Sequence, residues 1–166
     1  SGEFFLTDIV KILSKENKNI SFIEIVEEEI IGINTQLDLS IAEGISQKLI
    51  RNRAMKNGVK LIDPNSIFIN HDTKFGKDVI VQPNVFFGNN VTIDSFVEIK
   101  SFSYLEECRI KKDSVIGPFA RIRGGTTIGV EAKVGNFVEV KKSNLSKKVK
   151  INHLSYVGDT EIGPST

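Results

Sequence analysis

The chain has 166 residues, 40% hydrophobic and 26% charged, the composition of one globular domain or of one domain with an extension. Its 22 Lys plus Arg against 21 Asp plus Glu leave a net charge of +1, too even for a chain that grips nucleic acid by its phosphates. No apolar run approaches the ~20 residues that cross a bilayer, and the first residues lack the basic-then-apolar pattern of a secretion signal, so a cytoplasmic protein with no membrane partner is expected.

In chain order, Thr7 and Asp8 can cap a short helix carrying Ile9, Val10, Ile12 and Leu13, ending near the polar run Lys15 to Asn19. Ser21 to Glu27 is rich in β-branched and aromatic residues and reads as a strand buried on both faces. Gly32-Ile33-Asn34-Thr35 reads as a turn with Thr35 as a helix cap. From Gln36 to Asn57 the residues Leu37, Ile41, Ile45, Leu49 and Ile50 recur at helical spacing, and Gly58 stands where the helix should end. These sixty residues make a poor core of their own and look like the closing elements of a longer α/β domain.

Beyond them a different rhythm takes over. Ile69, Phe75, Val81, Phe87, Ile93, Ile99 and Leu105 fall six apart. A five-residue step leads to Ile110, and the count resumes through Ile116, Ile122, Ile128, Val134 and Val140. Short steps then give Leu145, with Ile151 and Val157 after it, and finally Ile162. Four residues after most anchors stands a small or β-branched residue, among them Val79, Val91, Ser114, Ala120 and Val138. A period of six fits neither a helix nor a long strand. It fits short strands joined by tight corners, three to a coil, with the anchors pointing into a narrow interior: the hexapeptide signature of a parallel β-helix. Glycines that directly follow anchors, as in Ile128-Gly129 and Val134-Gly135, are expected to supply unusual backbone angles at the corners.

Stacking turns this sequence into a positional grammar. Arg123 and Lys141 lie 18 residues apart with no short step between them, so they should leave the same corner on adjacent coils. A dianionic phosphate bound there would convert their mutual repulsion into attraction, although two solvated cations would fit the same spacing. Glu139 and Tyr156 should share a second column, with His153 two residues after its anchor. A histidine beside a carboxylate is a candidate base, and equally a surface residue in a lysine-rich corner. Two histidines are too few for a three-imidazole zinc site, and no Walker or dinucleotide motif is present. The lone Cys108 reads as structural, and Asn90-Val91-Thr92 as a chance triplet.

Three segments carry a resemblance: Gly117-Pro118-Phe119-Ala120-Arg121-Ile122-Arg123, then Val134-Gly135-Asn136-Phe137-Val138-Glu139-Val140-Lys141-Lys142, then His153-Leu154-Ser155-Tyr156-Val157-Gly158-Asp159. With Gly2-Glu3-Phe4-Phe5-Leu6-Thr7-Asp8 and Gly32-Ile33-Asn34-Thr35, they resemble the bacterial bifunctional N-acetylglucosamine-1-phosphate uridyltransferase/glucosamine-1-phosphate N-acetyltransferase family. The resemblance implies a mainly β fold, a left-handed parallel β-helix over 63–166. It would follow the remnant of a nucleotidyltransferase domain (1–34) and a linker helix (35–62). It implies His153 as the base that deprotonates the acceptor amine, Glu139 as its support, and Arg123, Lys141 and Tyr156 as sugar-phosphate ligands. Asn34 is implied as a ligand of Mg2+ in the uridyltransferase site. Glucosamine-1-phosphate, acetyl-CoA and UTP would be the substrates, UDP-N-acetylglucosamine the pathway product, and a homotrimer the assembly. Further coils, with most of the acetyl-CoA pocket, are expected beyond Thr166, and the metal-binding start of the uridyltransferase before Ser1, leaving a fragment without full activity. Another hexapeptide acyltransferase, or a non-catalytic β-helix for assembly or regulation, are the alternatives.

Overall fold

The computed structural model describes residues 5–26 and 29–166, so Gly2, Glu3 and Phe4 of the first resembling motif, and Glu27 of the expected strand, lie outside it. Two compact units divide the chain, Ser1–Ala42 and Glu43–Thr166.

In the first unit α1 spans Asp8–Lys15. Thr7 does not cap it as expected: its backbone is already helical and its hydroxyl makes no cap bond, while the Asp8 carboxylate accepts the Phe5 N–H at 2.9 Å. Residues Ser21–Val26 form no strand, and Phe22 and Ile23 are 85% and 88% exposed. Strand composition is only a preference for pleated, half-buried surroundings, and among the described residues of this unit no strand offers an edge to provide them. Thr35 does cap α2 (Gln36–Lys56). Its hydroxyl accepts the Asp38 N–H at 3.1 Å, while the Asp38 carboxylate accepts the N–H groups of Thr35 (2.8 Å) and Asn34 (3.1 Å). This is a reciprocal capping box with aspartate in the third helical position. These bonds hold the Asp38 carboxyl below its usual pKa, the Thr35 hydroxyl most of all.

The second unit is a parallel solenoid of about six left-handed coils with three faces. One face stacks β1 (Lys60–Leu61), β4 (Ile80–Val81), β7 (Glu98–Ile99) and β10 (Val115–Ile116) onto the start of β13 (Lys133–Lys141). The next stacks β2 (Phe68–Ile69), β5 (Phe86–Phe87), β8 (Tyr104–Leu105) and β11 (Arg121–Ile122) onto the end of the same β13. Both halves of β13 continue into β15 (Lys150–Gly158). The third face runs β3 (Lys74–Phe75), β6 (Thr92–Ile93), β9 (Cys108–Ile110), β12 (Thr126–Ile128), β14 (Asn144–Leu145) and β16 (Glu161–Ile162). The first solenoid strand thus starts just upstream of residue 63, the boundary read from the repeat.

The six-residue anchors are the core. Val81, Phe87, Ile99, Leu105, Ile110, Ile116, Ile122, Ile128, Val134, Val140 and Leu145 have no exposed surface. The small positions two residues before them point inward as well: Val79, Val91, Ser114 and Ala120 are buried, and Cys108 and Ser143 occupy that slot in two of the short repeats. Burial pushes the Cys108 thiol up to about 12, which makes it inert as a nucleophile.

The corners correct the expectation about glycine. The residue three before most anchors adopts the left-handed conformation, and it is usually not glycine: Asp78, Asn84, Phe96, Phe102, Phe119, Glu131, Phe137 and Lys148 take it. Gly125 before Ile128 is an exception, and among the glycines after anchors Gly117 has the expected positive φ, +89°. Each left-handed non-glycine residue costs roughly 1–2 kcal/mol. The ladder offsets this by continuing round the bend, as the N–H of Phe119 donates to Ser101 and that of Phe137 to Phe119. Glycines such as Gly129 and Gly135 follow anchors for another reason, close approach of the next coil. A Cβ on Gly129 would sit 2.5 Å from the Leu145 carbonyl oxygen, and one on Gly135 would overlap that of Asn152.

Of the apolar stripe expected on α2, Leu37, Ile41 and Leu49 are 70%, 48% and 57% exposed, and Ile50 packs on the solenoid core. Within the second unit, Gln47, Arg51 and Ala54 form the inner face together with Ile50. Buried Gln47 donates to the Ile69 carbonyl at 2.9 Å and accepts the Ile69 N–H at 3.0 Å, standing in for the peptide of a missing coil. Arg51 donates to the Ile67 carbonyl at 3.2 Å. Gly58 ends the helix with φ of +91°, its N–H donating to Met55 and that of Val59 to Ala54.

Candidate active site

The site grows from one edge of the second face. Arg121 lies opposite Glu139 and Ile122 opposite Val140, so one step on Arg123 lies opposite Lys141. The Arg123 N–H donates to the Val140 carbonyl at 2.8 Å, which fixes that register. On the next coil Glu139 lies opposite Tyr156 and Lys141 opposite Gly158. Side chains two apart on a strand share a side, so Glu139 and Lys141 leave the same surface as Arg123.

The sequence did not indicate how these charges pair. Arg123 Nη1 donates to Glu139 Oε1 at 2.8 Å, and the two side chains are 35% and 33% exposed. Glu139 holds the Arg123 guanidinium above its ordinary pKa through this bond, with smaller help from Tyr156 and Glu106. Lys141 makes no ion pair among the described residues. Tyr156 is 62% exposed, and its ring lies back over its own chain: a Cβ on Gly158 would come within 2.7 Å of the Tyr156 Cζ. Gly158 therefore belongs to the site, a role that the glycine-after-anchor rule concealed.

His153 lies opposite Asn136, one residue before the left-handed corner residue Leu154, so it stands round the bend from Tyr156. It is exposed, and its ring has no hydrogen-bond partner among the described residues. In the unliganded chain Glu139 bonds to Arg123 and not to His153. The carboxylate goes to the nearest full charge on its own face.

Asn34 is exposed, and its backbone N–H is spent on Asp38. That carboxylate already serves two N–H groups, and among the described residues no three His, Cys, Asp or Glu side chains gather as metal ligands. On their own the described residues around Asn34 do not complete a magnesium site. Among the described residues no helix is long and apolar enough to cross a membrane.

Hexapeptide coils with inward anchors define a left-handed β-helix protein. A perosamine N-acetyltransferase from Caulobacter crescentus, solved in complex with CoA and GDP-perosamine, has the same fold, with a TM-score of 0.50 at 17% identity. The match covers 70% of this chain and 58% of that one. No protein-family model matches the chain. Over nearly its whole length the chain is a homologue of the bifunctional GlmU proteins. It is 44% identical over 165 residues to that of Anaplasma marginale (strain Florida), covering 99% of this chain and 39% of the relative. It is 45% identical over 161 residues to that of Wolbachia pipientis wMel, covering 97% and 37%. It is 43% identical over 163 residues to that of Zymomonas mobilis, covering 98% and 36%. The chain thus spans between a third and two fifths of the length of these relatives.

Proposed function

We propose that the edge formed by Arg123, Lys141 and Tyr156 binds the phosphate of glucosamine-1-phosphate, with Glu139 supporting His153, and that the chain carries the acceptor side of an N-acetyltransferase site. The observation that carries this reading is the register of the second face, with Arg123 opposite Lys141 on adjacent coils. A guanidinium fork and an ammonium at that spacing match a phosphate dianion. His153 acts as the base. It takes a proton from the sugar amine, whose nitrogen attacks the acetyl carbon of acetyl-CoA; the C–N bond forms, the C–S bond breaks, and CoA leaves as the thiolate. Anchoring the phosphate holds the amine in line for this attack, which removes an entropic cost from the chemical step.

The assembly we propose is a homotrimer. Phe102, Phe119 and Phe137 stack at 4.9 and 5.1 Å down one corner and are 53%, 45% and 55% exposed, with Leu154 below them 76% exposed. Such an apolar ridge suits burial against further copies. Uridyl transfer from UTP with Mg2+, and a cytoplasmic setting, rest on the homology alone.

The test is acetyl transfer by a protein of the relatives' length that carries this sequence. With His153→Ala, turnover should fall by roughly 10²-fold or more while KM for glucosamine-1-phosphate stays within about threefold. Unchanged turnover would remove His153 from its role.

A further inference from the structure

We propose that Glu139 is the resident counter-ion of Arg123 and that an incoming phosphate dianion displaces it, so that this carboxylate sets the preference of the edge for dianions over neutral sugars. The inference rests on the phosphate reading above and adds the step by which the phosphate gains its place.

The contact is of an exchangeable kind. One nitrogen of the guanidinium meets one oxygen of the carboxylate, at 2.8 Å, leaving the other N–H groups of the fork uncommitted. Both side chains are about one third exposed, so Glu139 can turn into water without stranding a buried charge. Charge counting favours the exchange. Arg123, Lys141 and Glu139 sum to +1; a dianion added beside all three gives −1, whereas a dianion that takes the place of Glu139 is balanced by the two cations. A neutral sugar offers Arg123 nothing in return for its carboxylate, and a monoanion offers one charge for another. A dianion can hold Arg123 and Lys141 at once, and Lys141 has no ion pair among the described residues. The raised pKa of Arg123, caused first by Glu139, agrees with a filled guanidinium in the unliganded chain. Displacement also frees the carboxylate, which in the unliganded chain is withheld from His153 round the corner.

The experiment is isothermal titration at pH 8 with inorganic phosphate, glucosamine-1-phosphate and glucosamine, on a protein of the relatives' length carrying this sequence, unaltered and as Glu139→Gln, Glu139→Asp and Arg123→Ala. Removing a competing surface charge should tighten binding of both phosphates about three- to fivefold in Glu139→Gln, leave glucosamine unaffected, and lower KM for the sugar phosphate. Glu139→Asp, which keeps the charge, should bind like the unaltered protein. Thermal unfolding of each variant separates these effects from loss of fold. Equal or weaker phosphate binding by a folded Glu139→Gln protein overturns the exchange while leaving the phosphate site standing. Absence of phosphate binding in the unaltered protein removes the site itself, and the exchange with it.

Discussion

Gln47 offers the sharpest test of how the solenoid begins. The first coil has no neighbour above it, so the backbone groups of Ile69, itself 1% exposed, would face the protein without partners. Gln47 supplies both, donating at 2.9 Å and accepting at 3.0 Å, from a position only 7% exposed. Gln47→Ala strips one buried N–H and one buried C=O of their partners, at about 1–3 kcal/mol each, and the sum is about 2–6 kcal/mol less whatever water recovers. Gln47→Leu keeps the volume and removes the same bonds, so it should cost nearly as much and separates hydrogen bonding from packing. With a urea slope near 2 kcal/mol/M, the lower figure moves the midpoint of unfolding by about 1 M. Solenoids can fray from an end, so amide exchange at Ile69 should be followed in parallel and should accelerate more than exchange at Ile122 in the middle coils. A midpoint shift below about 0.3 M in both variants, with Ile69 still protected, would refute the view that this side chain substitutes for a missing coil.

Two further outcomes follow from the local geometry. The Asp38 carboxyl is depressed by its capping bonds, so its stabilisation is present above the ordinary carboxylate pKa and is lost as pH falls through the depressed value. Amide resonances of Asn34 and Thr35 should therefore move on acidification below about pH 4, and Asp38→Asn should abolish the dependence. At Gly135 an added methyl would overlap the Asn152 carbonyl oxygen, so Gly135→Ala must push apart the two coils beside His153. It should lower the thermal midpoint by several degrees and weaken sugar-phosphate binding together.

The course of the β-helix was legible because a narrow three-sided interior accepts one large and one small side chain per hexad, and that demand is written in Ile116, Ile122 and Ile128 with Ser114, Ala120 and Thr126. The register was legible for the same reason: fixed coil length makes residue counting equivalent to stacking. The left-handed corners were not. Phe102, Glu131 and Lys148 point away from the core, so their strained conformation leaves no hydrophobic mark, and it is sustained by neighbouring coils rather than by the residue itself. The docking face of α2 was legible only at Ile50, because its central contact is a buried glutamine while pattern reading also follows Leu37 and Leu49, which remain exposed. At the site, counting brought Arg123 to Lys141 and Glu139 to Tyr156. It could not say which of its neighbours Glu139 would touch, since that is decided within a column by charge and reach.

The most direct measurement is a double-mutant cycle on glucosamine-1-phosphate affinity, with Arg123→Ala and Lys141→Ala made singly and together. If both cations hold one phosphate, each single change weakens binding about tenfold or more, and the pair loses less than the product of the two. Affinity unchanged by either substitution in a folded protein would contradict the claim that adjacent coils build this site.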